Sequence, residues 1–98
     1  MHVLTVCYGQ PADPDAFDAY YTATHQPLAA KIPGLVSFTA RHCASLDGSA
    51  PPYYLLAELG FASPETLDAG LTSAEGHAAA ADVANFADGG ATMFVAYD

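Results

Sequence analysis

Along the first eight residues, Leu4, Val6 and Tyr8 fall on one side of an extended chain and Val3, Thr5 and Cys7 on the other. Gly9 and Pro11 end that run, so it predicts a strand over 2–8. Asp13-Pro14-Asp15 then opens a helix. Asp13 can accept from free backbone N–H groups, Pro14 has the φ of a first helical position, and Asp15 meets the positive end of the helix dipole. Phe17, Tyr21, Thr24, His25 and Leu28 recur at offsets 0, 4, 7, 8 and 11, a broad face turned toward a sheet. Pro27 disturbs the helix because it offers no N–H to the carbonyl of Ala23, and Ile32-Pro33-Gly34 stops it after a short resumption.

Two further runs, 35–44 and 53–61, predict strands joined by a polar, proline-containing connection over 45–52. Ser63-Pro64-Glu65 repeats the cap-then-proline signature and opens a second helix through Leu67 and Leu71. Ser73 begins another capped segment, an alanine-rich helix over 77–86 that Asp88-Gly89-Gly90 ends, and 91–97 forms the last strand. The order β-α-β-β-α-(α)-β is the split βαβ, ferredoxin-like arrangement: an α+β fold with helices on one face of a four-stranded antiparallel sheet. The 98 residues make one domain, 1–98, with no room for a second.

The second face of such a sheet should be polar if it meets water. Strand three instead offers Tyr53, Leu55, Ala57, Leu59 and Phe61 against Tyr54 and Leu56, and strand four Phe94 and Ala96 against Met93, Val95 and Tyr97. With helices for only one face, a second copy is expected to cover the other, giving a homodimer that closes into an α+β barrel. A monomer that tolerates an apolar face is the competing expectation.

Charge removes several partners. Two basic against 11 acidic residues give a formal charge of −9, which repels phosphate backbones and anionic membranes, so neither nucleic acid nor membrane is an expected partner. No run reaches the length of a membrane span, and the N-terminus lacks a basic segment before an apolar one. Cys7 and Cys43 have no metal-type spacing, and free thiols in the cytoplasm are the expectation.

His25 is the most informative polar residue. It shares the apolar helix face with Phe17 and stands one turn from Tyr21, a setting in which an imidazole poised near neutrality can act as acid or base. The competing role is a structural histidine at a kinked helix end. Glu58 lies inside an apolar strand beside Leu56 and Gly60, where a carboxylate needs a partner; His25, Arg41 and Lys31 are the candidates. Tyr8 and Tyr54 are strand phenols suited to holding a ligand, or to filling a core or interface, and Asn85 at a helix end orients a ligand or caps the terminus. His42 and Cys43 are adjacent and point to opposite sides of a strand, and no phosphate loop or dinucleotide fingerprint is present, so no metal and no cofactor is expected.

The run AFDAYYTATHQPLAAKIPGL resembles the Y-x-x-x-H-x-P-L-x-x-K-x-P-G-L signature of EthD-like proteins, with Tyr21, His25, Pro27, Leu28, Lys31, Pro33, Gly34 and Leu35 in the matching places. YYLLAELGF, TSAEGHAAAADVANFADGG and the final strand are also similar to that family, so the resemblance covers nearly the whole chain. It implies the dimeric α+β barrel superfamily, whose members include cofactor-independent quinone-forming monooxygenases, polyketide cyclases, lactone isomerases and haem-handling proteins. Many of these use a histidine with tyrosines in a hollow between sheet and helices. The resulting expectation is a cofactor-free enzyme, an oxidoreductase, cyclase or isomerase, acting on a hydrophobic aromatic or polyketide-like molecule. His25, Tyr21 and Glu58 would be catalytic, and Tyr8, Tyr54, Asn85 and Phe17 would contact substrate. A non-catalytic ligand-binding or accessory protein is the alternative, and haem binding a third.

Overall fold

The first strand, β1, spans His2–Tyr8 in a computed structural model that describes Met1–Asp98 in full. Helix α1 (Pro14–Tyr20) begins where Asp13 accepts from the Ala16 N–H, and it continues into a π-helical turn, Tyr21–His25, and a short α2, Gln26–Ala29. Strands β2 (Leu35–His42) and β3 (Leu55–Phe61) follow. They are shorter than the expected 35–44 and 53–61, because Pro51 and Pro52 lead the connection away from the sheet. Single backbone bonds, Cys43 N–H to the Tyr54 carbonyl at 2.9 Å and Tyr54 N–H to Tyr8 at 2.7 Å, carry the pairing one step further. Helices α3 (Pro64–Thr72) and α4 (Ala74–Asp82), a 3-10 turn over Val83–Asn85, and β4 (Ala91–Tyr97) complete the chain.

The four strands lie in the order β2-β3-β1-β4, every neighbouring pair antiparallel, which is the ferredoxin-like α+β sheet. Val6 and Tyr8 from β1 and Leu55, Ala57, Leu59 and Phe61 from β3 face the helices and are buried. Phe17, Tyr21, Leu67, Ala79 and Phe86 close over them. Tyr8 and Phe61 are the two large side chains fully removed from water, each contributing about 2 kcal/mol by apolar burial.

Two features of the helix layer matter for what it encloses. Ser63 and Thr66 form a reciprocal capping box on α3, and Ser73 ends α3 while capping α4 through the Gly76 N–H. A Cβ on Gly76 would meet the carbonyl oxygens of Gly70 and Leu71, so glycine is what lets α4 start so close to α3. The layer also stops short of β4, whose inner-side Met93, Val95 and Tyr97 stay exposed.

The outer face departs from uniform apolarity. Val3, Leu56, Phe94 and Ala96 are apolar there, but Ser37, Thr39 and Arg41 along β2 and Glu58 on β3 make one side of it polar. Thr24, expected on the sheet-facing side of the first helix, is exposed, while Ala29 is buried in its place. The π-helical turn explains this change.

Candidate active site

Phe17, Tyr21, His25 and Ala29 are all buried and are spaced by four. In a 3.6-residue helix that spacing drifts by about 40° per step, so the set would wind off the sheet. One wider turn recovers the phase. It forms at Tyr21–His25, where the Gln26 N–H donates to the Tyr21 carbonyl and Pro27, with no N–H, places no demand on the preceding turn.

The turn sets the His25 ring, 5% exposed as a residue, against Phe86 with ring centres 4.7 Å apart. His25 Nδ1 lies 3.0 Å from Asp82 Oδ2 at the end of α4, and Nε2 lies 3.4 Å from the Tyr8 hydroxyl. Asp82 is itself tied down: its Oδ1 accepts from the Tyr20 hydroxyl at 2.6 Å and from Asn85 Nδ2 at 3.1 Å. A carboxylate at a helix C-terminus opposes the dipole, and these donors offset that cost.

Burial alone would raise the Asp82 carboxyl, but hydrogen bonds from Tyr20, Asn85 and His25 outweigh it and hold the group below the usual carboxylate range. Asp82 is therefore an acceptor only, and the His25 proton sits on Nδ1, donated to it. Burial lowers the His25 pKa below 6.5, against the opposing pull of Asp82, so the ring is neutral near pH 7 and Nε2 carries a lone pair. Tyr8 faces that lone pair through a long hydrogen bond, and burial, with Tyr21 and Asp82 nearby, raises its pKa well above the ordinary phenol value. Burial pushes Tyr21 up to about 12. Both phenols stay protonated and available as donors.

His25, Tyr8 and Tyr21 open onto a hollow of about 180 Å³ between the sheet and α4. Leu4, Val6, Phe38, Leu59, Ile32 and Val83 supply its apolar wall, and half-exposed Met93 on β4 forms part of its rim. The Tyr21 hydroxyl is buried and has no hydrogen-bond partner within the chain. A buried donor left in that state costs stability, so Tyr21→Phe is expected to raise the unfolding free energy by about 1 kcal/mol in a denaturant titration.

The EthD domain profile matches residues 9–90. The chain belongs to the EthD family. This EthD protein is 50% identical over 93 residues to an uncharacterised 11.0 kDa protein from the thcB-thcC intergenic region of Rhodococcus erythropolis, covering 95% of this chain and 90% of the relative. The crystal structure of an EthD family protein from Bacillus halodurans matches with a TM-score of 0.94 and 33% identity, over 100% of this chain and 98% of that one. A protein of unknown function from Jannaschia sp., described as dimeric and ferredoxin-like, shares the fold at 19% identity and a TM-score of 0.70, with both chains fully covered.

Of the residues singled out in the EthD sequence, His25, Tyr21 and Tyr8 come together at the hollow. Asn85 reaches the cluster through Asp82 rather than through the hollow. Phe17 packs behind Tyr8 and Tyr21, with ring centres at 5.6 and 6.1 Å, and does not line the hollow. Tyr54 lies elsewhere, donating to both Asp18 oxygens at 2.8 and 2.9 Å. Glu58 is not brought to His25. It pairs opposite Thr5 and Thr39 on the outer face, with Arg41 at 3.6 Å, because strand alternation puts it across the sheet from Leu59. Asp82 was absent from the sequence-based set. Its available signals were an acid in the last turn of an alanine-rich helix, where the dipole disfavours one, and Asn85 three residues on.

Proposed function

We propose that this EthD protein is a cofactor-free acid–base enzyme that takes a small, apolar molecule into the hollow and moves a proton with His25. The observation that carries this is the Asp82–His25 pair, which holds a neutral imidazole with its lone pair at Nε2, beside Tyr8 and an apolar cavity. A cavity of about 150 Å³ holds benzene, so about 180 Å³ suits a single ring with a small substituent. Oxidation, cyclisation and isomerisation of such a molecule can each begin with loss of a proton to a base.

A homodimer through the outer sheet face belongs with this proposal. Val3, Leu56, Phe94 and Ala96 present apolar area there, and the Jannaschia relative is described as dimeric. Sedimentation at micromolar concentration is expected to give twice the chain mass of 10.1 kDa. A stable single chain would remove the barrel from the proposal. A cytoplasmic setting suits the free thiols, Cys7 buried and Cys43 half-buried, and no helix is long and apolar enough to cross a membrane.

The function is tested by titrating the His25 ring by NMR with and without acetophenone, a ring of the right size. The ligand is expected to shift the ring signals and move the titration midpoint. An imidazole indifferent to it would make His25 structural and the protein a binder or accessory subunit.

A further inference from the structure

We propose that the hollow takes a neutral, enolisable ketone, whose oxygen accepts the Tyr21 O–H while His25 Nε2 removes the proton from the adjacent carbon. This rests on His25 acting as a base, as argued above.

Three observations lead there. The first is the unused donor. The Tyr21 hydroxyl is buried, lacks a partner within the chain, and belongs to a residue lining the hollow, one helical turn from His25 with ring centres 5.4 Å apart. Buried hydroxyls are satisfied in most proteins, and one left free beside a cavity is a place kept for a ligand acceptor. The Tyr21 and Tyr8 rings meet edge to face with centres 5.8 Å apart, which sets Tyr21 beside the Tyr8–His25 contact. Tyr21 also borders a shallower groove beside Asp18 and His42, which does not include His25.

The second observation is that base and donor are separate groups. A phenol or alcohol substrate loses its proton and receives the negative charge at one atom, and needs a base and a donor at one place. A carbon acid beside a carbonyl loses the proton at carbon and gathers the charge on oxygen, which calls for a base and a neutral donor side by side.

The third is the lack of a cation. The chain has 2 Lys and Arg residues: Lys31 is exposed, Arg41 lies on the outer face beside Glu58, and neither lines the hollow. Asp82 already places a carboxylate behind His25. A carboxylate or phosphate substrate would be buried without compensation, so the ligand enters neutral.

The step balances within these groups. As the Tyr8 O–H turns out of its long contact with His25 Nε2, the carbon–hydrogen bond breaks and its proton forms an N–H bond there, which the Tyr8 oxygen can then accept. Its electron pair forms the carbon–carbon double bond, and the carbonyl π pair moves to oxygen, where Tyr21 donates without losing its proton. Asp82 holds the imidazolium. Return of the proton to the same or another carbon restores the ring, so the cycle is enolisation or double-bond migration and uses no oxidant.

The test uses 2-indanone, a neutral ring-fused ketone with exchangeable methylene protons. In deuterated buffer the wild-type protein is expected to speed loss of the methylene signal above the buffer rate. The carbonyl infrared band should fall in frequency on binding. Tyr21→Phe is expected to slow exchange at least tenfold and abolish the band shift, while 2-indanone still perturbs the His25 signals. Exchange at the wild-type rate with an unchanged band in Tyr21→Phe would overturn the assignment of Tyr21 and leave His25 as a base. Absence of exchange by the wild type, despite shifted His25 signals, would overturn the ketone. Failure of His25 to respond to any ring ligand would overturn the base itself, and this inference with it.

Discussion

His25→Gln is expected to slow proton exchange on a bound ketone by roughly 10²–10⁴-fold, the range that a positioned general base contributes. Glutamine keeps an amide that can donate to Asp82 and fills much of the imidazole volume, so the fold should persist with unchanged circular dichroism. It has no group that accepts a proton near neutral pH. His25→Ala gives a second check, because the space it opens beside Phe86 lies next to the hollow, and added imidazole should restore part of the rate. An undiminished rate in both variants would remove His25 from the chemistry.

Asp82→Ala is expected to cost about 2 kcal/mol of stability, the scale for leaving a buried N–H donor without its acceptor. The Asp82 side chain is 7% exposed and accepts from Tyr20, His25 and Asn85. Tyr20 and Asn85 lie nearer the surface and can turn to water; the buried His25 Nδ1–H cannot. The variant also changes the acid limb. In the wild type the folded His25 pKa is below the unfolded value, so the unfolded chain binds the proton more readily. His25 therefore costs no stability above pH 6.5, and stability declines as pH falls from there toward the folded pKa. The Asp82 carboxyl is also lowered, so its contribution is present above pH 3.8 and is lost as pH falls through the folded pKa. Without Asp82, only burial acts strongly on His25, so its pKa drops further and the activity profile shifts its acid limb to lower pH. Asp82→Asn, which can still accept from Nδ1, should recover much of the stability but less of the rate. A purely structural Asp82 would leave the pH profile of the surviving activity in place.

Much of the fold was legible because its signals are local. Asp13, Ser63 and Ser73 all cap helices as their positions predict, β1 ends before Gly9, and β4 begins after Gly89-Gly90. Pro27 announced an irregularity but not its kind. That the turn widens, and so exposes Thr24 and buries Ala29, depends on the helix docking on the sheet. The site was legible only in its local half. His25 and Tyr21 share one helix face, and Tyr8 follows from strand alternation. Asp82 lies 57 residues from His25 in sequence and meets it only when α4 packs over the π-helical turn. Of the partners the sequence offers Glu58, the structure brings Arg41 to it and not His25, and the pattern held a clue to that. Leu55, Ala57, Leu59 and Phe61 form the more apolar side of β3, which the helices cover, and that leaves Glu58 outside.

Nitrogen-15 NMR of the imidazole in the wild-type protein tests the central claim most directly, since it reads the protonation of each ring nitrogen. His25 should appear at pH 7 as the neutral tautomer with hydrogen on Nδ1 and none on Nε2, its titration midpoint lying below pH 6.5. An imidazolium at pH 7, or a neutral ring with hydrogen on Nε2, would leave no lone pair toward the hollow and would contradict the account.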